Sequence, residues 1–299
     1  MAQLNLCSLV LVASFALLLA IHLSAAHPRK LMKSTKIPSL NEVKGYLQAY
    51  GYMERSEDHP TGTSGDSPIT ESSLKPAIRM YQEWNHLEVT GKLNSETIAR
   101  MMTPRCGTPD IVRIPDKGVH HESKPGKFRV VAHYSFFKNM NPWSQRQLTY
   151  SFTSTIPSVP IGDLRAICTR AFQHWAAVSP FQFREAGQGE VANIMIGFYT
   201  GDHGDGYPFD GLGHTWAHAF SPRDGRLHYD GSENWSISTP TTDQTDLESV
   251  TLHEIGHTLG LAHSQDPDAV MYAYINTGVI KRQLQQDDIN GIQALYPSK

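Results

Sequence analysis

The stretch His253-Glu254-Ile255-Gly256-His257-Thr258-Leu259-Gly260-Leu261-Ala262-His263 carries three histidines and one glutamate at spacings that suit a tetrahedral metal with one open position. On a helix, residues four apart lie on one face, so His253 and His257 present ring nitrogens to one zinc ion. Glu254 then sits beside the metal and not on it. A carboxylate so placed takes a proton from water whose pKa the metal lowers to roughly 7. Gly260 permits the left-handed backbone that ends the helix and returns His263 as third ligand. The pattern predicts a catalytic Glu254, zinc ligands His253, His257 and His263, and a fourth position for water or a substrate carbonyl. The competing reading is an amphipathic helix with surface histidines. It loses ground because three further parts of the chain make sense only with the metal.

Those parts are Pro104-Arg105-Cys106-Gly107-Thr108-Pro109-Asp110, the segment Ala269-Val270-Met271-Tyr272 after His263, and the histidine- and aspartate-bearing stretch from His203 to Glu233. With them the chain resembles the matrix metalloproteinases, or matrixins, zinc endopeptidases of the metzincin clan, and the plant members in particular. The resemblance implies a cysteine switch, with the Cys106 thiolate in the fourth zinc position of a latent form. This is physically sound, since zinc favours the deprotonated thiol and a covalent tether gives a high effective concentration. Read without the family, a lone cysteine is a buried thiol or half of a disulfide. The resemblance also makes Met271 the methionine that packs beneath the metal-binding histidines, and Ser264 fits the matrixin branch. From His203 to Glu233 it implies a closed structural zinc site on His203, Asp205, His218 and His228. It further implies a calcium ion on the carboxylates of Asp210, Asp230 and Glu233, with backbone carbonyls near Gly211, Gly213 and Thr215. The bland reading of that stretch is a polar, glycine-rich surface loop.

Some positions depart from the family pattern. Asn193 and Arg226 stand where many members place the acids of a second calcium site, so that site is expected to be absent or weak. Trp216 replaces the usual leucine beside the substrate-binding strand, and Ala273 replaces the usual proline after Met271. Both bear on subsite preference and neither on the zinc chemistry.

Outward from the motif, the C-terminal half reads as α+β. Strands are expected at Leu148–Thr153, Phe181–Arg184, Asn193–Tyr199, Trp216–Phe220 and Leu227–Asp230, and helices at Gly162–Val178, Asp246–Leu259 and Gln286–Leu295. This agrees with a metzincin catalytic domain of a twisted five-stranded sheet and three helices. Leu164, Ile167, Cys168, Ala171, Phe172 and Trp175 form one helical stripe, which puts Cys168 in the core and argues against a disulfide to Cys106. Before the switch, apolar positions at Val43, Leu47 and Tyr50, at Leu74, Ile78 and Tyr81, and at Ile98 and Met102 suggest three short helices. Asp58 to Ser73 reads as a loop. Tyr81-Gln82-Glu83-Trp84 and Thr90-Gly91-Lys92-Leu93 continue the likeness to matrixin propeptides. The same unit is similar to bacterial peptidoglycan-binding modules, so carbohydrate binding is a rival role for it.

The 299 residues allow about two domains after processing. Leu6 to Leu23 is an uncharged apolar run ended by Ser24-Ala25-Ala26, which suits signal peptidase cleavage after Ala26. The run lacks a preceding lysine or arginine, and an uncleaved signal anchor is the alternative. The expected domains are a signal peptide at 1–26, a propeptide at 27–132 and a catalytic domain at 133–299. Lys117 to Lys127 reads as the link to be cut, by another protease or by autolysis, since no furin motif is present. Tyr134 and Trp143 match the family's mature start, which suggests His133-Tyr134 as the new N-terminus. Asp287 or Asp288 would receive its ammonium, unless both serve as helix caps. A net charge of -3 gives no support for nucleic-acid binding. The expectation is a monomeric, secreted enzyme of the extracellular space or cell wall, without a GPI tail or C-terminal anchor, acting on protein or peptide substrates. The rivals are a peptidase fold used only for binding, which an intact Glu254 argues against, and a wall-glycan-binding protein.

Overall fold

Leu164, Ile167, Cys168, Ala171, Phe172 and Trp175 are all buried, and they are the inner stripe of the helix Ile161–Val178. In this computed structural model, residues 38–54, 69–111, 133–137 and 140–297 are described. All of them belong to one unit, Pro38–Lys299. The expected signal peptide, the link Lys117–Lys127 and residues 58–68 of the expected loop lie outside the described residues.

Helices α1 (Leu40–Ala49), α2 (Glu71–Trp84) and α3 (Ser95–Met101) form the N-terminal bundle. Val43 and Leu47 of α1 meet Leu74, Ile78 and Tyr81 of α2 and Met101 of α3 in a core of their own. Two sequence expectations need correction here. The loop expected through Ser73 gives way to helix at Glu71, because Thr70 and Ser73 cap it reciprocally through side chain and backbone. In α3 the buried positions are Thr97 and Met101, one residue off the expected Ile98 and Met102. The register follows the buried amide of Gln82, whose Nε2 donates to the Thr97 hydroxyl at 2.9 Å.

The C-terminal part holds a five-stranded sheet in the order β3-β2-β4-β6-β5. Its strands are β2 (Gln147–Phe152), β3 (Gln182–Glu185), β4 (Ile194–Tyr199), β5 (Ala217–Ala219) and β6 (Arg226–Asp230). Four run parallel and β5 is the antiparallel edge. Helix α4 is the Ile161–Val178 helix described above; it packs on α5 (Leu247–Leu259), and α6 (Gln286–Leu295) completes the layer. Every expected strand and helix of this half occurs, with bounds within a residue of expectation. Shorter pairs were not expected: β1 (Ser135–Phe136) with β9 (Leu261–Ala262), and β7 (Trp235–Ser236) with β8 (Thr245–Asp246). Two residues are too few to show a period. Cys106 and Cys168 are both free and buried, as expected from the α4 stripe.

Helix α5 is buried along its whole length. Asp246 caps its N-terminus by accepting from Ser249 N–H at 3.0 Å. Gly260 ends it at φ 109°, the left-handed conformation that the sequence required. On its inner face Gly256 allows Met271 and Trp175 to come close: a Cβ there would lie 2.3 Å from Met271 Sδ and 2.9 Å from the Trp175 ring. Gly256→Ala is therefore expected to lower the melting temperature. Overpacking costs about 1–3 kcal/mol, against about 1 kcal/mol gained in helix propensity. A thermal melt at or above wild type would show instead that Met271 yields without cost.

Candidate active site

His253 and His257 project from α5 on the same face, and Gly260 turns the chain so that His263 joins them just after β9. All three are buried. Each uses Nδ1 for a hydrogen bond at 2.7 Å: His253 to Val270 O, His257 to Leu261 O, and His263 to Asp110 Oδ1. Carbonyls and carboxylates only accept, so each Nδ1 carries the proton and each Nε2 presents a lone pair. Nε2 of His253 and of His263 has no hydrogen-bond partner, and neither has either oxygen of Glu254. Cys106 Sγ lies 3.4 Å from His257 Nε2. One ligand atom from each of Cys106, His253, His257 and His263 falls within 4.8 Å of the others. Three imidazole lone pairs and a sulfur converging out of reach of water suit a cation and little else. Burial holds all three histidines below their usual range. It lifts Glu254 to about 8. Burial also pushes the Cys106 thiol up, with the Glu254 charge adding, so this sulfur ionises only beside a cation.

The Cys106 segment lies along the edge strand. Arg105 N–H donates to His214 O at 2.8 Å, Gly107 N–H to Ala217 O at 2.8 Å, and Trp216 N–H to Arg105 O at 3.3 Å. On the opposite wall Cys106 N–H donates to Ala273 O at 2.9 Å. The bridge to Thr215 is parallel and that to Tyr274 antiparallel. Arg105 is buried and paired with Asp110 through two bonds of 2.6 and 2.9 Å. Its guanidinium stacks 3.7 Å above the Tyr50 ring and donates to Tyr274 Oη at 3.1 Å. Tyr46 and Tyr81 hydroxyls also reach Tyr274, at 3.3 and 3.2 Å. Burial alone would raise Asp110, yet Arg105 and His263 hold it well below the carboxylate range. These tyrosines were not singled out as site residues from sequence. Tyr50 and Tyr81 showed only as core positions, and no local spacing points to Tyr46, Tyr52 or Tyr274.

His203, Asp205, His218 and His228 form a second such group. Asp205 Oδ2 lies 2.8 Å from His203 Nε2, 2.7 Å from His218 Nε2 and 2.9 Å from His228 Nδ1. His203 commits its Nδ1 proton to Gly201 O at 2.9 Å, which leaves Nε2 as the atom facing the carboxylate and free to present a lone pair to a cation. Burial lowers His218 to about 4, so that ring resists a second proton beside the same carboxylate. The expected calcium residues are in one loop region but are engaged differently. Asp230 accepts from Gly211 N–H at 3.2 Å, Glu233 from Gly213 N–H at 2.7 Å and Asp210 from Thr215 N–H at 3.2 Å. Their oxygens form no third group as tight as the other two among the described residues. Burial, with the charges of Asp230 and Asp210 adding to it, raises Glu233 to about 7.

The Asn193 side chain accepts from Thr149 N–H at 2.9 Å, and Arg226 pairs with Asp224 at 2.7 Å. Asp288 accepts from Val270 and Met271 N–H, both at 2.9 Å, and so fixes the turn under the histidines. Asp287 lies 3.1 Å from Tyr134 N.

The matrixin family model matches residues 142–297. The chain belongs to the matrixin family. Its helical N-terminal part matches the peptidoglycan binding domain model over residues 38–101. Metalloendoproteinase 5-MMP of Arabidopsis thaliana is 41% identical over 271 residues, covering 87% of this chain and 71% of the relative. Metalloendoproteinase 1 of Glycine max is 41% identical over 265 residues, covering 86% and 81%. Interstitial collagenase of Equus caballus is 37% identical over 266 residues, covering 88% of this chain and 50% of its own. The chain is thus a zinc-dependent metalloendopeptidase of the matrixin type with a helical propeptide domain.

In the matrixin cleft Gly107 has no room for a side chain, since a Cβ would stand 2.6 Å from Thr215 Cγ2 and 3.3 Å from Ala217 O. Gly107→Val is expected to lift the segment off β5. The full-length chain would then cleave a fluorogenic peptide at least severalfold faster than wild type; an equally silent variant would show that this backbone pairing does not maintain the closed form.

Proposed function

We propose that the chain is made as a secreted, latent zymogen in which Cys106 fills the fourth position of a zinc held by His253, His257 and His263. The convergence of these four ligand atoms beside an unpartnered Glu254 carries the reading. Glu254 is the catalytic base. A second zinc on His203, Asp205, His218 and His228 and a calcium at Asp210, Asp230 and Glu233, with carbonyls at Gly211, Gly213 and Thr215, brace the loops beside β5. The two tight groups of ligand atoms support the zinc assignments. The gathering of the Asp210, Asp230 and Glu233 carboxylates on the backbone of Gly211, Gly213 and Thr215 supports the calcium.

Zinc, when bound, polarises a carbonyl and lowers the pKa of water to about 7. Glu254, with both oxygens free of protein donors, takes the proton of the attacking water and delivers it to the leaving amine. An extended substrate pairs with the backbone of His214, Trp216 and Ala217 on one side and Ala273 on the other. In the full-length chain Arg105 to Gly107 already use these groups. Activation therefore requires that the 27–132 propeptide leave, after a cut by another protease or by autolysis. A cut before His133 would leave the new ammonium one residue from Tyr134, whose N–H already donates to Asp287 Oδ1 at 3.1 Å.

The apolar run Leu6–Leu23 followed by Ser24-Ala25-Ala26 supports secretion to the extracellular space or cell wall. No helix among the described residues is long and apolar enough to cross a membrane.

Glu254→Ala is expected to abolish cleavage of a fluorogenic peptide, by roughly a hundredfold or more, while metal analysis still finds zinc. Near-normal turnover would remove Glu254 from the chemistry. Cys106→Ser should raise the activity of the full-length chain, read in the same assay without added protease. If that chain stays as inactive as wild type, the thiol is not what keeps it latent.

A further inference from the structure

Two of the three histidines are oriented from within the catalytic half: Val270 O holds His253 and Leu261 O holds His257. His263 is held from across the cut. Its Nδ1 lies 2.7 Å from Oδ1 of Asp110, with both side chains fully buried. We propose that Asp110 is a positioning residue of the metal centre: the propeptide fixes the tautomer and ring of His263, and so grips the zinc through a contact that the mature enzyme lacks. The inference rests on the assignment of His253, His257 and His263 as zinc ligands.

The geometry suits that task. Nδ1–H donated to a carboxylate leaves the Nε2 lone pair for the metal, and the negative charge behind the ring makes it a stronger ligand. Asp110 is held from two sides, so either alone restrains it: Arg105 reaches both its oxygens, and Tyr52 Oη donates to Oδ2 at 2.5 Å. The carboxylate thus joins the helical bundle through Tyr52, the switch through Arg105 and the metal centre through His263. Coupling of this kind is reciprocal. Whatever Asp110 adds to zinc affinity, zinc adds to propeptide docking, independently of the sulfur. The propeptide has two holds on the centre, one at the open position and one behind a ligand.

The test uses full-length Cys106→Ala, in which the thiol is gone and Asp110 remains. Zinc release to a chromophoric chelator is followed in this chain, in the same chain after propeptide cleavage, and in the double variant Cys106→Ala, Asp110→Asn. The release phase that disappears in His257→Ala identifies the centre concerned. The full-length Cys106→Ala chain should release that zinc about 10–100-fold more slowly than the cleaved form, and the Asp110→Asn change should remove most of the difference. Arg105→Gln in the Cys106→Ala background weakens docking but leaves Asp110 beside His263, and it should keep most of the retention. The Nδ1–H resonance of His263 should shift with Asp110→Asn and hold with Arg105→Gln. Equal release from the double variant and from Cys106→Ala overturns the proposal; so does an Arg105→Gln variant that loses as much retention as Asp110→Asn. Cobalt substitution of the wild-type chain reports separately on the switch: no sulfur charge-transfer band would remove Cys106 as ligand and leave the Asp110 comparison intact.

Discussion

Three buried imidazoles whose Nδ1 protons are all committed elsewhere must turn three lone pairs toward one point. Without a cation that arrangement strands acceptors away from water at a cost of about 1–3 kcal/mol each. The rest of the fold is arranged to hold it. Helix α5 is enclosed on every side, so its polar residues need defined partners: Thr251 Oγ1 donates to Leu247 O at 2.7 Å and Asp246 caps the helix start. Glu248 faces Arg170 at 2.7 Å. Asp288 reaches from α6 to fix the Met271 turn, and Gly256 lets that methionine lie directly against the helix. The supports of the centre come from α4, α6 and the turn together.

The ion pair of Arg105 with Asp110 follows a different logic. A fully buried pair gains little net stability, since desolvation offsets most of the attraction, whereas removing one partner costs about 3–5 kcal/mol. Its value is geometric. The pair closes the Arg105–Asp110 segment into a short loop that sets Cys106 at the histidines, with Tyr50 and Tyr274 flanking the guanidinium. In the proposed activation this contact would be lost as a unit: with the segment off β5, the cation, the anion and the sulfur would all return to water.

Much of this was legible in the chain. The histidine spacing fixed the helix, its end at Gly260 and the return of His263, because each is a local rule of backbone geometry. The strands of the main sheet showed through apolar runs. What stayed hidden was non-local. Nothing in the spacing of Tyr46, Tyr52 or Tyr274 says that they meet around Arg105, and Asp110 looked like part of a motif, not a partner of His263. The register of α3 differs by one residue from the expected Ile98 and Met102 because an apolar pattern does not show a threonine in the core, and the Thr97 hydroxyl is what the buried Gln82 amide needs. The paired dipeptides β1, β7, β8 and β9 carry no periodic signal at all.

The groups that pair with the propeptide are backbone groups, and this bears on the two departures from the family pattern. Trp216 contributes its N–H and Ala273 its carbonyl to the segment in the cleft. A leucine or a proline at those positions would offer the same two groups, so neither change alters the pairing. What changes is the side-chain lining: the Trp216 ring stands edge-on to His253 at 6.2 Å, fully buried, its Nε1 without a hydrogen-bond partner. An indole there occupies more of the wall beside the centre than a leucine would and adds a donor that leucine lacks. On the proposed function, latency and catalysis would share this one strand of hydrogen bonds and could not be tuned apart through it. Selectivity among substrates would then come from side chains such as that of Trp216 and not from the backbone pairing.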